Sequence, residues 1–216
     1  RNKFLDRLRA DYDQRHVMAM SFVYKPHYNL NHGWERQIVN GWAVTSIIQL
    51  QSGNPINITT GGDTNSDGVS NDRPNLAPGV TRARVKDNGG SRTAMMKQWV
   101  DYSQFCVWNA TLNGIPPCPQ NGAGPAGSDG TVRQNELDGP GKRAIAASIF
   151  RDFPITEHVR FQLRGESTNV FNLTNLPNPT VTLSSGAPPT NPTGTFGQIN
   201  SPIQAGTFGN RVIQVG

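Results

Sequence analysis

The sequence predicts an all-β chain built as an antiparallel meander, and three observations predict it. Gly 23 and Pro 16 among 216 residues, with only 16% charged residues, supply many turn formers and little helix-favouring composition. The second is alternation in residues 159–171, VRFQLRGESTNVF. There Val159, Phe161, Leu163 and Gly165 share one face of an extended chain, while Arg160, Gln162, Arg164 and Glu166 share the other. At about 3.3 Å per residue and a tilt of roughly 40°, such a segment crosses the apolar layer of a bilayer. The third is the spacing of the strand candidates, in which short and long connections alternate. Tight turns at one end and large loops at the other are the pattern of an outer-membrane barrel, whereas a soluble sandwich has no reason to collect its length on one side. The fold expected is a partial transmembrane β-barrel of about five strands with long extracellular loops.

The first strand is read at residues 16–24, HVMAMSFVY. The second covers 42–60: WAVTSIIQL, continued through 55–60. In it Trp42, Val44, Ile48 and Leu50 lie opposite Ala43, Thr45 and Gln49. The third, 143–153, alternates more weakly; the fourth is 159–171 and the fifth 210–216. Residues 25–41 and 154–158 make the short connections, and 61–142 and 172–208 the large loops. A membrane barrel needs about eight strands to close, and an open sheet edge in lipid leaves backbone groups unpaired. Further strands are therefore expected before residue 1. The chain opens Arg-Asn-Lys and stops inside an alternating run, so it reads as a fragment of a longer protein.

Several function classes find no support. No apolar run is long enough for a transmembrane helix. The net charge of +5 suits an anionic partner, but no basic cluster interleaved with aromatics points to nucleic acid. Arg82, Arg84, Lys86, Arg92 and Lys97 read as a solvated polar stretch. His16, His27, His32 and His158 lack metal-ligand spacing, and neither a nucleophile elbow nor a phosphate-cradling loop is present. No catalytic residue is assigned, and the chain is not expected to be an enzyme.

Two local features carry chemistry. Asp63, Asn65 and Asp67, followed by Gly68 and the Val69 carbonyl, match the front half of an EF-hand loop, with Asn71 or Asp72 to complete a Ca²⁺ shell. Pro74 stands where an EF-hand needs Glu, so any such site is weak; a Gly/Asn/Asp turn cluster is the alternative. No cofactor is otherwise required. Cys106 and Cys118, in a tract that reads as exposed, suit a disulfide, with two free thiols as the alternative.

Successive words of the chain resemble the C-terminal barrel of Oar-like TonB-dependent receptors of acidobacterial type. They run DQRHVMAMSFVY, IVNGWAVTSIIQLQSGNPINIT, NDRPNL, LDGPGKRAIAASIFRDFPITEHVRFQLRGESTNVFNLTNLPNP, GTFGQINSP and GNRVIQVG, in the family's order from about Arg9 to Gly216. The resemblance implies a place in the outer membrane of a Gram-negative bacterium, lipid around the wall, and plug and barrel strands upstream. It also implies contact with TonB through the missing N-terminal region, and uptake of an unknown solute. Family members end on an aromatic after several more strand residues, which this chain lacks.

A charge on a lipid face costs about 2–4 kcal/mol near the midplane, so Arg160, Gln162, Arg164 and Glu166 are expected to face the lumen. They either meet plug and solute or neutralise one another across strands. Trp34 and Trp42 suit an aromatic girdle at the short-turn end, with core packing an equal account of Trp42. The competing reading is a soluble extracellular β-module binding calcium or a glycan. In a barrel the set Val159, Phe161, Leu163, Trp42, Val44, Ile48 and Leu50 forms one outward band; in a module it forms a buried core.

Overall fold

Alternating side chains at Trp42, Val44, Ile48 and Leu50 ask for neighbours of the same period, and antiparallel pairing supplies them. The computed structural model of the protein describes residues 8–29, 31–65, 67–68, 72–107, 118, 130–185 and 194–216. In chain order its strands are β1 (Val17–Tyr24), β2 (Trp42–Gln51), β3 (Pro55–Ile56), β4 (Asn75–Leu76), β5 (Phe105–Cys106), β6 (Leu137–Asp138), β7 (Lys142–Pro154), β8 (Arg160–Thr168) and β9 (Val212–Val215). Helix α1 (Gly33–Val39) lies between β1 and β2, and α2 (Arg92–Lys97) between β4 and β5.

The chain divides into two compact units. One comprises His16–Gln51, Gly141–Asn175 and Pro202–Gly216. It holds a five-stranded antiparallel sheet of order β1-β2-β7-β8-β9, a meander in which sequence neighbours pair. Register places Met20 opposite Ile48, Ile48 opposite Ile145, Ile149 opposite Gly165 and Gly165 opposite Val215. One face therefore carries Met18, Met20 and Phe22 of β1, Val44, Ile48 and Leu50 of β2, Ile145 and Ile149 of β7, and Phe161 and Leu163 of β8. The row ends on Ile213 and Val215 of β9. The short connections 25–41 and 155–159 leave one end of the strands, and every excursion into the other unit leaves the opposite end.

Two expectations about strand extent need correction. The second strand does not run through residue 60: it ends at Gln51, and Pro55–Ile56 turns away to pair with Leu137–Asp138. The cause is at Gly53, where an added Cβ would lie 1.8 Å from the Gly139 carbonyl oxygen, so two backbones meet where only glycine fits. The fourth strand ends at Thr168 rather than 171, because Asn169 takes a left-handed φ of 46° that breaks the ladder. The first short connection, 25–41, holds the helix α1.

The second unit, Arg1–Arg15, Ser52–Pro140 and Leu176–Ser201, is where the sequence predicted exposed loops. It contains the larger buried core. Ile58, Val100, Phe105, Val107, Leu183 and Phe196 are almost wholly enclosed. Phe196 meets Tyr102 and Phe105 edge-on, at centroid distances of 5.5 and 5.8 Å. Two-residue ladders β3–β6 and β4–β5 and the bridges Thr59–Thr182 and Val85–Val100 pair the backbone around this core.

Burial gives this unit a pH signature. Desolvation raises the Tyr102 phenol from 10.0 to about 12. The neutral form is thus favoured by folding, so this contribution is complete below pH 10 and is lost as pH rises toward 12. Thermal melts of wild type and Tyr102→Phe should diverge across that window, the wild type alone losing stability from this source; parallel curves would disprove it.

Candidate functional site

The two faces of the sheet differ chemically. On the apolar face Ile149 is 46% exposed and Phe161 52% exposed, and Leu50, Leu163 and Ile213 are open as well. In the same chain Phe196 is 1% exposed. Of the set that separates a membrane wall from a soluble module, Val159, Phe161, Leu163 and Leu50 are therefore open and Trp42, Val44 and Ile48 half-buried, while the buried core is built from other residues.

The opposite face is mixed: β8 gives it Arg160, Gln162, Arg164 and Glu166, β7 Asp152 and β9 Gln214, while Val17 and Val23 of β1, Ile47 of β2 and Val212 of β9 are its exposed apolar residues. Gln162 Nε2 donates to Asp152 Oδ1 at 2.8 Å, directly across the strand pair. Arg164 instead pairs along its own strand, Nη2 lying 2.5 Å from Glu166 Oε1. Beside that pair lies a depression of about 260 Å³ whose lining includes Thr45, Ser148, Thr168 and Gln214. Small neighbours, Ala144 and Ala146, keep this face low and let long polar side chains lie across it.

Aromatic residues gather at the short-turn end. Trp42 Nε1 and Arg151 Nη1 both donate to the Ile38 carbonyl oxygen, at 3.0 and 2.9 Å. The Arg151 guanidinium lies 4.5 Å from the Phe153 ring centroid and 5.6 Å from that of Trp42. Phe153 in turn lies 6.0 Å from Phe161. Arg151 shares the apolar face, and its charge is tolerated at the strand end because rings and a carbonyl receive it. Trp34, on α1, is exposed.

In the acidic loop, carboxylate oxygens of Asp63, Asp67 and Asp72 lie within 4.8 Å of one another. They accept bonds from the loop itself. Asp72 Oδ2 takes the amides of Thr64 and Asn65 at 2.5 and 3.0 Å, and Asp63 takes those of Asp67 and Gly68 at 3.2 and 2.9 Å. Asn65 Oδ1 accepts from the Asp67 amide at 3.0 Å. Val69 and Asn71, the remaining ligands suggested by the sequence, lie outside the described residues.

The residues matched by a protein family bring these observations together: the family described as outer membrane beta barrel domain matches residues 1–214. The chain belongs to that family. It is an outer-membrane barrel domain, and its open five-stranded meander is part of the barrel wall. Comparison with curated proteins and with solved structures finds no match.

The matched span takes in both units of this outer-membrane barrel domain, so the loop core belongs to it as much as the sheet does. Its cysteines are bonded, Cys106 to Cys118, with Cα atoms 5.0 Å apart. The described residues of the tract, 105–107 and 118, are buried where the sequence reads as exposed, and Cys106 pairs through β5 with Asn75 of β4. A bridge between positions 12 apart in sequence restricts the unfolded chain and is worth about 2–3 kcal/mol. Reduction, or Cys106→Ser with Cys118→Ser, should lower the melting point of the loop unit and leave the amide protection of β2 and β7 unchanged. Equal loss in both units would disprove this.

Buried asparagines are the functional scaffold that sequence reasoning missed. Asn175 Nδ2 donates to the carbonyls of Arg143 and Phe208, and its Oδ1 accepts from the Arg143 amide at 2.7 Å. Asn169 Nδ2 donates to Leu173 and Gly209 carbonyls, while its Oδ1 accepts from Leu173. Both sit at the strand end from which the long excursions leave. A side-chain amide there satisfies backbone groups that lack a ladder partner. The signal available was asparagine in the words ESTNVFNLTNLPNP, read as strand to residue 171 and as large loop beyond it.

Proposed function

We propose that this barrel domain is the C-terminal part of a TonB-dependent receptor of the Oar-like type, taking up a solute across the outer membrane. The observation that carries the reading is the pairing of an uncovered apolar band with a polar opposite face, on a sheet whose long excursions all leave one end. The ordered motif words support the narrower assignment, because they fall at structural joints. SGNP meets LDGPG at Gly53 and Gly139, and GTFG supplies Phe196 and the close approach of Gly197 to Val100. In this reading Arg160, Gln162, Arg164 and Glu166 line the lumen, and the plug and TonB contact belong to the parent chain. The large loops, 61–142 and 172–208, then take part in capturing the solute.

The test is the reading frame around this segment, followed by growth of a strain lacking TonB. A plug, a TonB-contacting box and further alternating strands, with solute uptake lost when TonB is removed, are expected. A frame with strands but neither plug nor box would leave a passive barrel and overturn the receptor assignment. A soluble calcium- or glycan-binding module is not favoured, since its core would have to be the band that stands uncovered.

A further inference from the structure

Four arginines that are scattered in sequence converge on one cleft of the loop unit. Arg9, Arg15, Arg82 and Arg133 line a space of about 580 Å³ together with Gln134, Asn135 and Glu136. Guanidinium groups stay charged at any accessible pH, so gathering them has a Coulombic cost unless carboxylates answer each one. Two are answered. Arg82 Nε donates to Glu136 Oε1 at 3.0 Å, and Arg9 reaches Asp13 at 3.0 Å and Asp138 at 2.6 Å. Burial works to lower the Arg9 pKa, but the hydrogen bonds and negative charges of Asp138 and Asp13 together hold it above the ordinary value.

Arg15 and Arg133 are different. Both are exposed, and among the described residues neither has a carboxylate or any other hydrogen-bond partner. Asn135 holds the wall in place: it sits at a left-handed φ of 56° and is buried, with Nδ2 donating to the Arg9 carbonyl and to Asp11 Oδ1. The unsatisfied donors of the cleft are thus two planar forks beside the Gln134 amide. Glu136, the only lining carboxylate among the described residues, is already committed to Arg82. The volume is that of a small-molecule site rather than a polymer groove.

We infer that this arginine cleft binds a small, multiply charged oxyanion of the phosphate class, held between Arg15 and Arg133. Planar guanidinium forks match such oxygens bidentately, and a second negative charge answers the second fork. The inference adds a solute class to the receptor reading and rests on that reading only for the fate of the captured anion.

The experiment is calorimetric titration of the purified barrel protein in neutral detergent with inorganic pyrophosphate, in parallel with mixed micelles containing phosphatidic acid, whose phosphomonoester can carry a second negative charge. Arg15→Gln and Arg133→Gln are each expected to weaken binding about tenfold, the scale of one charge-assisted hydrogen-bonded pair. Arg92→Gln, an exposed arginine outside the cleft, should leave it unchanged. Both cleft side chains are exposed, so the variants should melt with wild type, which the same samples check. Binding of pyrophosphate identifies a free solute, and Arg-dependent binding of micelles alone identifies a lipid headgroup; either upholds the oxyanion site. No binding in either arm, or binding indifferent to Arg15 and Arg133, overturns it. Neither arm involves TonB or a plug, so failure here leaves the receptor reading intact, and failure of that reading leaves this result intact.

Discussion

Ile149→Arg is expected to destabilise the membrane-inserted barrel by about 2–4 kcal/mol, whereas Gln162→Lys should change it by less than about 1 kcal/mol. Ile149 lies near the middle of β7, on the face shared with Ile48, Leu163 and Val215, and is 46% exposed. A guanidinium there stands between the cross-strand partners Val44 and Gly165, whereas Arg151 at the strand end is received by a ring and a carbonyl. Gln162 is a neighbour of opposite parity whose amide already meets Asp152, so a lysine at that position gains an ion pair on the polar face. The check is denaturant titration of the barrel protein in phospholipid vesicles, followed by tryptophan fluorescence. Similar losses from both variants would mean that the two faces see the same surroundings, and the wall reading would fall.

That contrast depends on a feature legible in the sequence. Alternation is local: a period of two along Arg160–Thr168 needs no knowledge of which strand lies alongside. The meander order came from connection lengths, because short links such as 155–159 leave a strand little choice but its neighbour. Boundaries were less legible where a long-range contact decides them. Nothing in QSGNPINIT states that Gly53 will meet Gly139, and the strand was read through the joint for that reason. The asparagine brackets and the arginine cleft are further cases, since Arg9, Arg82 and Arg133 are far apart in the chain and only the folded loop unit gathers them.

The loop core was the least legible part, for a specific reason. Strands of two residues, β3 to β6, are too short to show a period, and the apolar residues around them look isolated among Gly, Pro and Asn. Ile58 and Leu183 pack into one cluster although one precedes and the other comes after β7 and β8. Composition alone makes such tracts look like exposed loops, because the hydrophobic partners of each are in the other.

Phe196→Ala tests whether the two long excursions really share one core. The ring is 1% exposed and touches Tyr102 and Phe105, both from the first excursion, while Phe196 comes from the second. Truncation removes the buried ring and leaves a cavity, a cost of about 3–5 kcal/mol. Gly197 cannot relieve it by shifting inward, since a Cβ there would already stand 2.3 Å from the Val100 carbonyl oxygen. Hydrogen exchange should therefore accelerate in residues 99–107 together with 194–199, and amides of β2 and β7 should keep their protection. The coupling is what matters. If exchange rose only in 194–199 while Val100 and Phe105 stayed protected, the excursions would be separate loops, each stable without the other. Joint loss is the expected result, because the enclosure of Phe105 is completed by a side chain that arrives from the other side of β7 and β8 in sequence.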